Sequence, residues 1–169
     1  PSCSHPATVS WKPISKYQWN SDTAFVYHRK NLQVSIRTGF GLINYPFEDG
    51  FGFFRWVEML ERCGVDSVWQ SDRLISTDNY LESLSALASL AGCTERIKFG
   101  MNAIVAPLRD PLVLAKQCAT IDFLSNGRLL PMFGVGYPKA VEWDATGRSS
   151  DHRGSRANEM FELLARLWS

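Results

Sequence analysis

Between Leu32 and Ser169 short apolar runs alternate with longer stretches whose apolar residues recur at helical spacing. Leu32 to Phe40 alternates as a strand and ends in Gly39-Phe40-Gly41. A helix is predicted from about Gly52, carried by Phe54, Val57, Leu60 and Glu61 and stopped at Cys63-Gly64. Val65 to Ser71 predicts a short buried strand ending in Asp72-Arg73. Asn79 with Glu82 has capping-box spacing and predicts a helix over Tyr80 to Ala91, with Gly92 beyond it. Ile97 to Ala106 is an apolar, β-rich run. Asp110-Pro111 then opens a helix with Leu114, Cys118, Ile121 and Leu124 on one stripe and Asn126-Gly127 at its end. Leu129 to Gly134 predicts another strand. A last helix, about Gly154 to Trp168, shows Met160, Leu163, Leu164 and Leu167 on one side.

Strand starts recur about every thirty residues, the length of one strand-plus-helix unit, so about four β/α units are expected in series. Crossover helices between such strands make right-handed parallel units, which place ligands at the carboxyl ends of their strands. Two architectures use this repeat, the open doubly wound sheet and the closed (β/α)8 barrel. The nucleotide fingerprint Gly-x-Gly-x-x-Gly fails twice. Asn44 stands in the third position after Gly39-Phe40-Gly41, and Lys139 after Gly134-Val135-Gly136.

Residues 1–31 lack a clear period and carry Ser, Pro, Lys and isolated aromatics, so a poorly ordered or peripheral leader is expected, distinct from a domain over 32–169. The chain does not begin with Met, which predicts a processed, trimmed or incomplete product. A formal net charge of +1 with scattered basic residues argues against nucleic acid and anionic membrane as partners. No apolar run is long enough to cross a bilayer, and no signal-peptide pattern opens the chain. The cysteines Cys3, Cys63, Cys93 and Cys118 lie far apart and form no metal-ligand spacing, so no metal site is expected. They read as reduced thiols of a cytoplasmic protein. His5, His28 and His152 are scattered and support no catalytic triad.

Several motifs together resemble the luciferase-like flavin-dependent monooxygenase family. They are Cys63-Gly64-Val65-Asp66-Ser67-Val68-Trp69 with Ser71-Asp72-Arg73-Leu74, and Thr94-Glu95-Arg96-Ile97-Lys98-Phe99-Gly100. Pro111 through Gln117, Ala119 through Arg128, and Gly134-Val135-Gly136-Tyr137 follow in order. Glu142-Trp143 to Gly147, Arg153 to Arg156, Glu159 and Leu167-Trp168 complete the series. The resemblance implies the amino-terminal half of a TIM (β/α)8 barrel, a reduced FMN or deazaflavin cofactor, and oxygenation of, or hydride transfer to, a small organic substrate. The alternative is a non-catalytic partial barrel that dimerises or binds flavin weakly.

It also implies site residues. Asp72 and Arg73 stand where the family often has an acid followed by His. Arginine keeps its charge and offers no base, so Arg73 would stabilise negative charge on flavin or oxygen, or else pair with Asp72 in a salt bridge. Asn102-Ala103, with Ile104 beside it, falls where the family commonly has a bulge with a non-proline cis peptide behind the flavin ring; an ordinary strand is the alternative. Gly134, Val135 and Gly136 would leave room for a ring or phosphate, with Gly39 a further cofactor position. Tyr137 would orient substrate or be a rim aromatic, and it replaces the acid of the deazaflavin-dependent sugar-phosphate dehydrogenases. Apolar residues on two sides of the helix over 80–91 predict packing on the sheet and on a partner helix, in line with the family's dimers; cover by the leader is the other option. Half a barrel leaves open edges and an uncovered inner face. A missing segment, a second copy, or a marginal open sheet would each answer this.

Overall fold

The computed structural model describes residues 36–169. The expected leader and the first residues of the expected opening strand lie outside them. Within them, β1 is Gly39–Leu42, β2 is Ser67–Gln70, β3 is Lys98–Met101 and β5 is Leu129–Leu130, and they form one parallel sheet in the order β1-β2-β3-β5. Two helices, α1 (Gly50–Arg62) and α2 (Ser83–Cys93), and a third, α3 (Pro111–Leu124), make the crossovers. This is the expected series of barrel units, with shifted boundaries. β1 begins at Gly39, where the sequence pattern expected a strand to end.

Two of the apolar runs are each two strands. The run Ile97 to Ala106 breaks after Met101, where the Asn102–Ala103 peptide bond is cis, and resumes as β4 (Ile104–Val105). The run Leu129 to Gly134 breaks at Pro131-Met132 and resumes as β6 (Phe133–Gly134). β4 pairs with β6, Val105 opposite Gly134, in a small second layer above the strand ends. A short turn of 3-10 helix, Ala106–Leu108, leads into α3.

Caps explain where helices begin. Asp49 accepts from the Gly52 amide at 2.7 Å and starts α1, earlier than expected. Asp110 accepts from the Val113 amide at 2.9 Å, with Pro111 as the first helical residue of α3, as the sequence predicts. At α2 the capping-box reading is corrected. Glu82 is itself the N-cap, its two oxygens taking the Leu84 and Ser85 amides, so the helix starts three residues later than predicted. Asn126 and Gly127 both have positive φ and end α3 as expected.

The core lies between sheet and helices. Val68, Phe99 and Met101 point from the strands into it, against Val57, Leu84, Leu87, Leu90, Leu114 and Ile121. The apolar sides of α2 are therefore largely covered within the chain, by the sheet and by α3; its open residues are Ser85, Ala88, Gly92 and Cys93. The opposite sheet face belongs to Trp69. Its ring occupies the space a side chain at Gly100 would need (2.8 Å from an added Cβ), and its Nε1 donates to Ser67 Oγ at 2.9 Å. The last helix, α5 (Arg153–Leu167), packs on α3 through Ala157, Met160 and Leu164, while Leu163 and Leu167 stay open.

One arginine ties the amino-terminal end of the sheet. Arg128 donates to the carbonyls of Ala91, Thr94, Ile97 and Ser125 and lies over the Phe99 ring. It satisfies open carbonyls at the ends of α2 and α3 and joins them to the start of β3. No described helix is long and apolar enough to cross a membrane.

Candidate functional site

The carboxyl ends of β2 and β3 and the β4–β6 layer converge on one region. The Asn102 amide donates to Gln70 O at 2.7 Å, and the Ile104 amide to Met132 O at 2.8 Å. Asp72, just past β2, is the hub. Its carboxylate accepts both arms of Arg109 at 2.7 and 2.8 Å, the Val105 amide at 2.8 Å, and the Ser83 hydroxyl. The Asp72 side chain is 1% exposed and that of Arg109 10%. A buried carboxylate needs such a set of donors to remain charged out of water.

This corrects two expectations. Asp72 does not pair with Arg73, and with both oxygens engaged it has little acceptor capacity left for a substrate proton. Its place is under the site, holding β4 through Val105. Arg109 also lies 3.6 Å from the N-cap carboxylate of Glu82, so one guanidinium links the end of β2 to the start of α2. Burial alone would raise the pKa of Glu82; the Ser85 and Leu84 donors and Arg109 outweigh it and hold the group below the usual carboxylate range.

Arg73 turns the other way. Its side chain is half exposed and lies 3.8 Å from Glu142, at the start of the short helix α4 (Glu142–Ala145), whose own side chain is nearly buried. With Asp72, Val105, Gly136 and Tyr137 these residues line a narrow cleft of about 20 Å³, room for about one water. Tyr137 is 63% exposed, and its carbonyl accepts from Trp143 Nε1 at 2.8 Å.

The expected cofactor positions divide. Asn102 and Val135 are exposed, while Ala103, just before β4, and Gly134, on β6, are part-open. A Cβ added at Gly134 would stand 3.3 Å from that of Ala103, so these two neighbouring positions present nothing larger than a methyl. The buried Nε2 of Gln70, at the end of β2, has no hydrogen-bond partner among the described residues. Such a surface fits a planar ring laid against backbone. Three other positions do not offer it. Gly39 lies at the amino-terminal end of the sheet, opposite Ser67, and an added Cβ would meet Ser67 Oγ at 2.6 Å. Ile104 is fully buried in the core, with its amide engaged. The space beside Gly136, at φ 75°, is filled by Val105 and Trp143. Among the described residues no group of side chains could hold a metal ion. Cys63, Cys93 and Cys118 are free thiols, and burial pushes that of Cys118 up to about 12.

Arg109, Glu142 and Lys139 were not picked out as site residues by the sequence reading. For Arg109 the available signal was an arginine directly before the Asp110-Pro111 helix start, on the same side as the strand ends.

Comparison with known proteins agrees with this geometry. A family model described as luciferase-like monooxygenase matches residues 52–169. An F420-dependent glucose-6-phosphate dehydrogenase of Amycolatopsis mediterranei is 31% identical over 118 residues, 64% of this chain and 35% of that protein. The oxygenase component of a flavin-dependent trigonelline monooxygenase of Acinetobacter baylyi is 28% identical over 123 residues, 66% of this chain and 33% of that protein. A crystal structure of a monooxygenase from Streptomyces bottropensis superposes with a TM-score of 0.67 at 25% identity, over 79% of this chain and 43% of that one. The chain thus spans about a third of the length of these curated relatives. With parallel β/α units and a family match over most of its length, this chain belongs to the luciferase-like monooxygenase family.

Proposed function

We propose that the chain is the amino-terminal part of a flavin-dependent oxidoreductase or monooxygenase acting on a small organic substrate with reduced FMN or a deazaflavin. The observation that carries this is the close approach of the part-open Ala103 and Gly134 above the strand ends, beside the exposed Asn102. The relatives' names include both an F420-dependent and a flavin-dependent enzyme, which supports this cofactor class without choosing within it. A reduced flavin or deazaflavin supplies electrons when bound. The chain's own groups do the rest. Ala103 and Gly134 support the ring, and the half-exposed Arg73 guanidinium, which lines the cleft with Tyr137, stabilises negative charge on the reacting group. The Tyr137 hydroxyl donates to substrate, and Asp72 with Arg109 fixes β4 through Val105. A homodimer through α2 would use the open residues Ser85, Ala88 and Gly92.

Titration of the purified, folded chain with oxidised and reduced FMN and with a deazaflavin tests the reading. Saturable changes in absorbance or fluorescence are expected. No saturable change with any of them eliminates it and leaves the non-catalytic partial barrel.

A further inference from the structure

The chain has a second, larger depression next to the cleft. It measures about 520 Å³, within the range of small-molecule sites, and it shares Ala140 and Trp143 with the cleft of Asp72, Arg73 and Tyr137. Lys139 and Arg148 approach it from opposite ends of the loop around α4, and Ser149 and Ser150 line it beside Arg148.

The donors around it are idle. Lys139 has no ion pair or hydrogen bond among the described residues. The side chain of Arg148 makes one long bond, to Thr146 O at 3.4 Å, leaving most of its fork open. The Ser149 Oγ already accepts from the Asp151 amide at 3.0 Å, so its hydrogen is the part left to give. One carboxylate, Asp144, lines the same space and lies within ion-pair reach of neither cation.

The wall is held in place. Trp143 is buried and tied to Tyr137 O, and the Arg148 amide donates to Trp143 O at 2.8 Å. Arg156 donates to the carbonyls of Ser149 and Asp151 from α5. Two cations and hydroxyl donors with a single acid, on a loop fixed by backbone bonds, match an anionic tetrahedral group, which a guanidinium fork meets with paired donors.

We propose that this depression binds the phosphate or sulfonate end of a small organic molecule, next to the reacting end in the neighbouring cleft. The proposal rests on the flavin reading only for what that anion is joined to. The anion belongs either to the substrate or to the cofactor's phosphate.

The test titrates inorganic phosphate into the flavin-free protein and follows backbone amide shifts, with chloride at matched ionic strength as the control. Saturable shifts at Lys139 and over 147–150 are expected, weakened about tenfold or more in Lys139→Ala and Arg148→Ala. Comparing FMN with riboflavin assigns the source. If the variants weaken FMN and leave riboflavin unchanged, the anion is the cofactor's; if both flavins bind as before, it is the substrate's. Shifts that chloride reproduces, shifts spread over all surface cations, or phosphate binding unchanged in Lys139→Ala/Arg148→Ala would overturn the proposal. Because phosphate is read without flavin, a failed flavin titration leaves this result standing on its own.

Discussion

Replacing Arg109 with Met tests the support beneath the site. The substitution removes two charge-assisted bonds from a carboxylate that is 1% exposed and leaves it the Ser83 hydroxyl and the Val105 amide. Breaking one side of a buried ion pair costs about 3–5 kcal/mol, because the surviving charge stays out of water. The two remaining donors place this case near the low end, about 3 kcal/mol. For a domain of this size that lowers the melting temperature by roughly 10 °C. Urea denaturation followed by circular dichroism gives the change directly, provided the slope is unchanged. The double variant Asp72→Leu/Arg109→Met removes the unpaired charge but leaves the Val105 amide and Ser83 hydroxyl without their acceptor, so it should recover only part of the loss. If Arg109→Met alone lies within about 1 kcal/mol of the parent, the claim that Asp72 depends on Arg109 is wrong.

Other outcomes follow from the same contacts. Arg73→Ala should cost about 0–1 kcal/mol, since the 3.8 Å contact with Glu142 leaves Arg73 half in water, while turnover with reduced flavin drops sharply; unchanged turnover would make the pair merely structural. Gly136→Ala should cost about 2–3 kcal/mol in urea denaturation, because its Cβ would stand 2.7 Å from Val105 Cγ1 at positive φ; a loss below about 0.5 kcal/mol would contradict that packing. Glu82 should shape the acid limb of stability. Its folded pKa is lowered, so its contribution is present above the unfolded carboxylate value and lost as pH falls through the folded one. Glu82→Gln should therefore lower stability at neutral pH and flatten its fall towards acid; an unchanged slope between neutral and acid pH would refute this.

Local chemistry was legible where a residue acts on its near neighbours. Asp110-Pro111 and Asn126-Gly127 mark the ends of α3 because a cap and a left-handed turn are made within a few residues. The same locality misled at α2, where Asn79 has the right spacing but Glu82 takes the amides. The partner of Asp72 lies 37 residues away, beyond any spacing rule, so the adjacent Arg73 looked like the natural mate. Gly39 appeared as a ligand glycine because the alternation over 32–40 placed it at a strand's end. In the sheet it begins β1 and faces Ser67 and Trp69, a fact of strand register that one strand's sequence does not carry. The break at Asn102–Ala103 came only from the resemblance; the one polar residue at that point of the run, Asn102, does not by itself specify a break. The apolar character of α2 was legible, but its sequence does not say that α3 of the same chain covers much of it, or that Ala88 stays open.

Amide-resolved mapping of flavin on the folded protein tests the central claim, that the strand ends around Ala103 and Gly134 form the cofactor surface. Saturable shifts are expected at Asn102, Ala103 and over 134–137, with Gly39, Ser67 and Lys98 at the far end of the sheet unmoved. Shifts centred on that far end, or none around Ala103 and Gly134 while flavin binds, would contradict it.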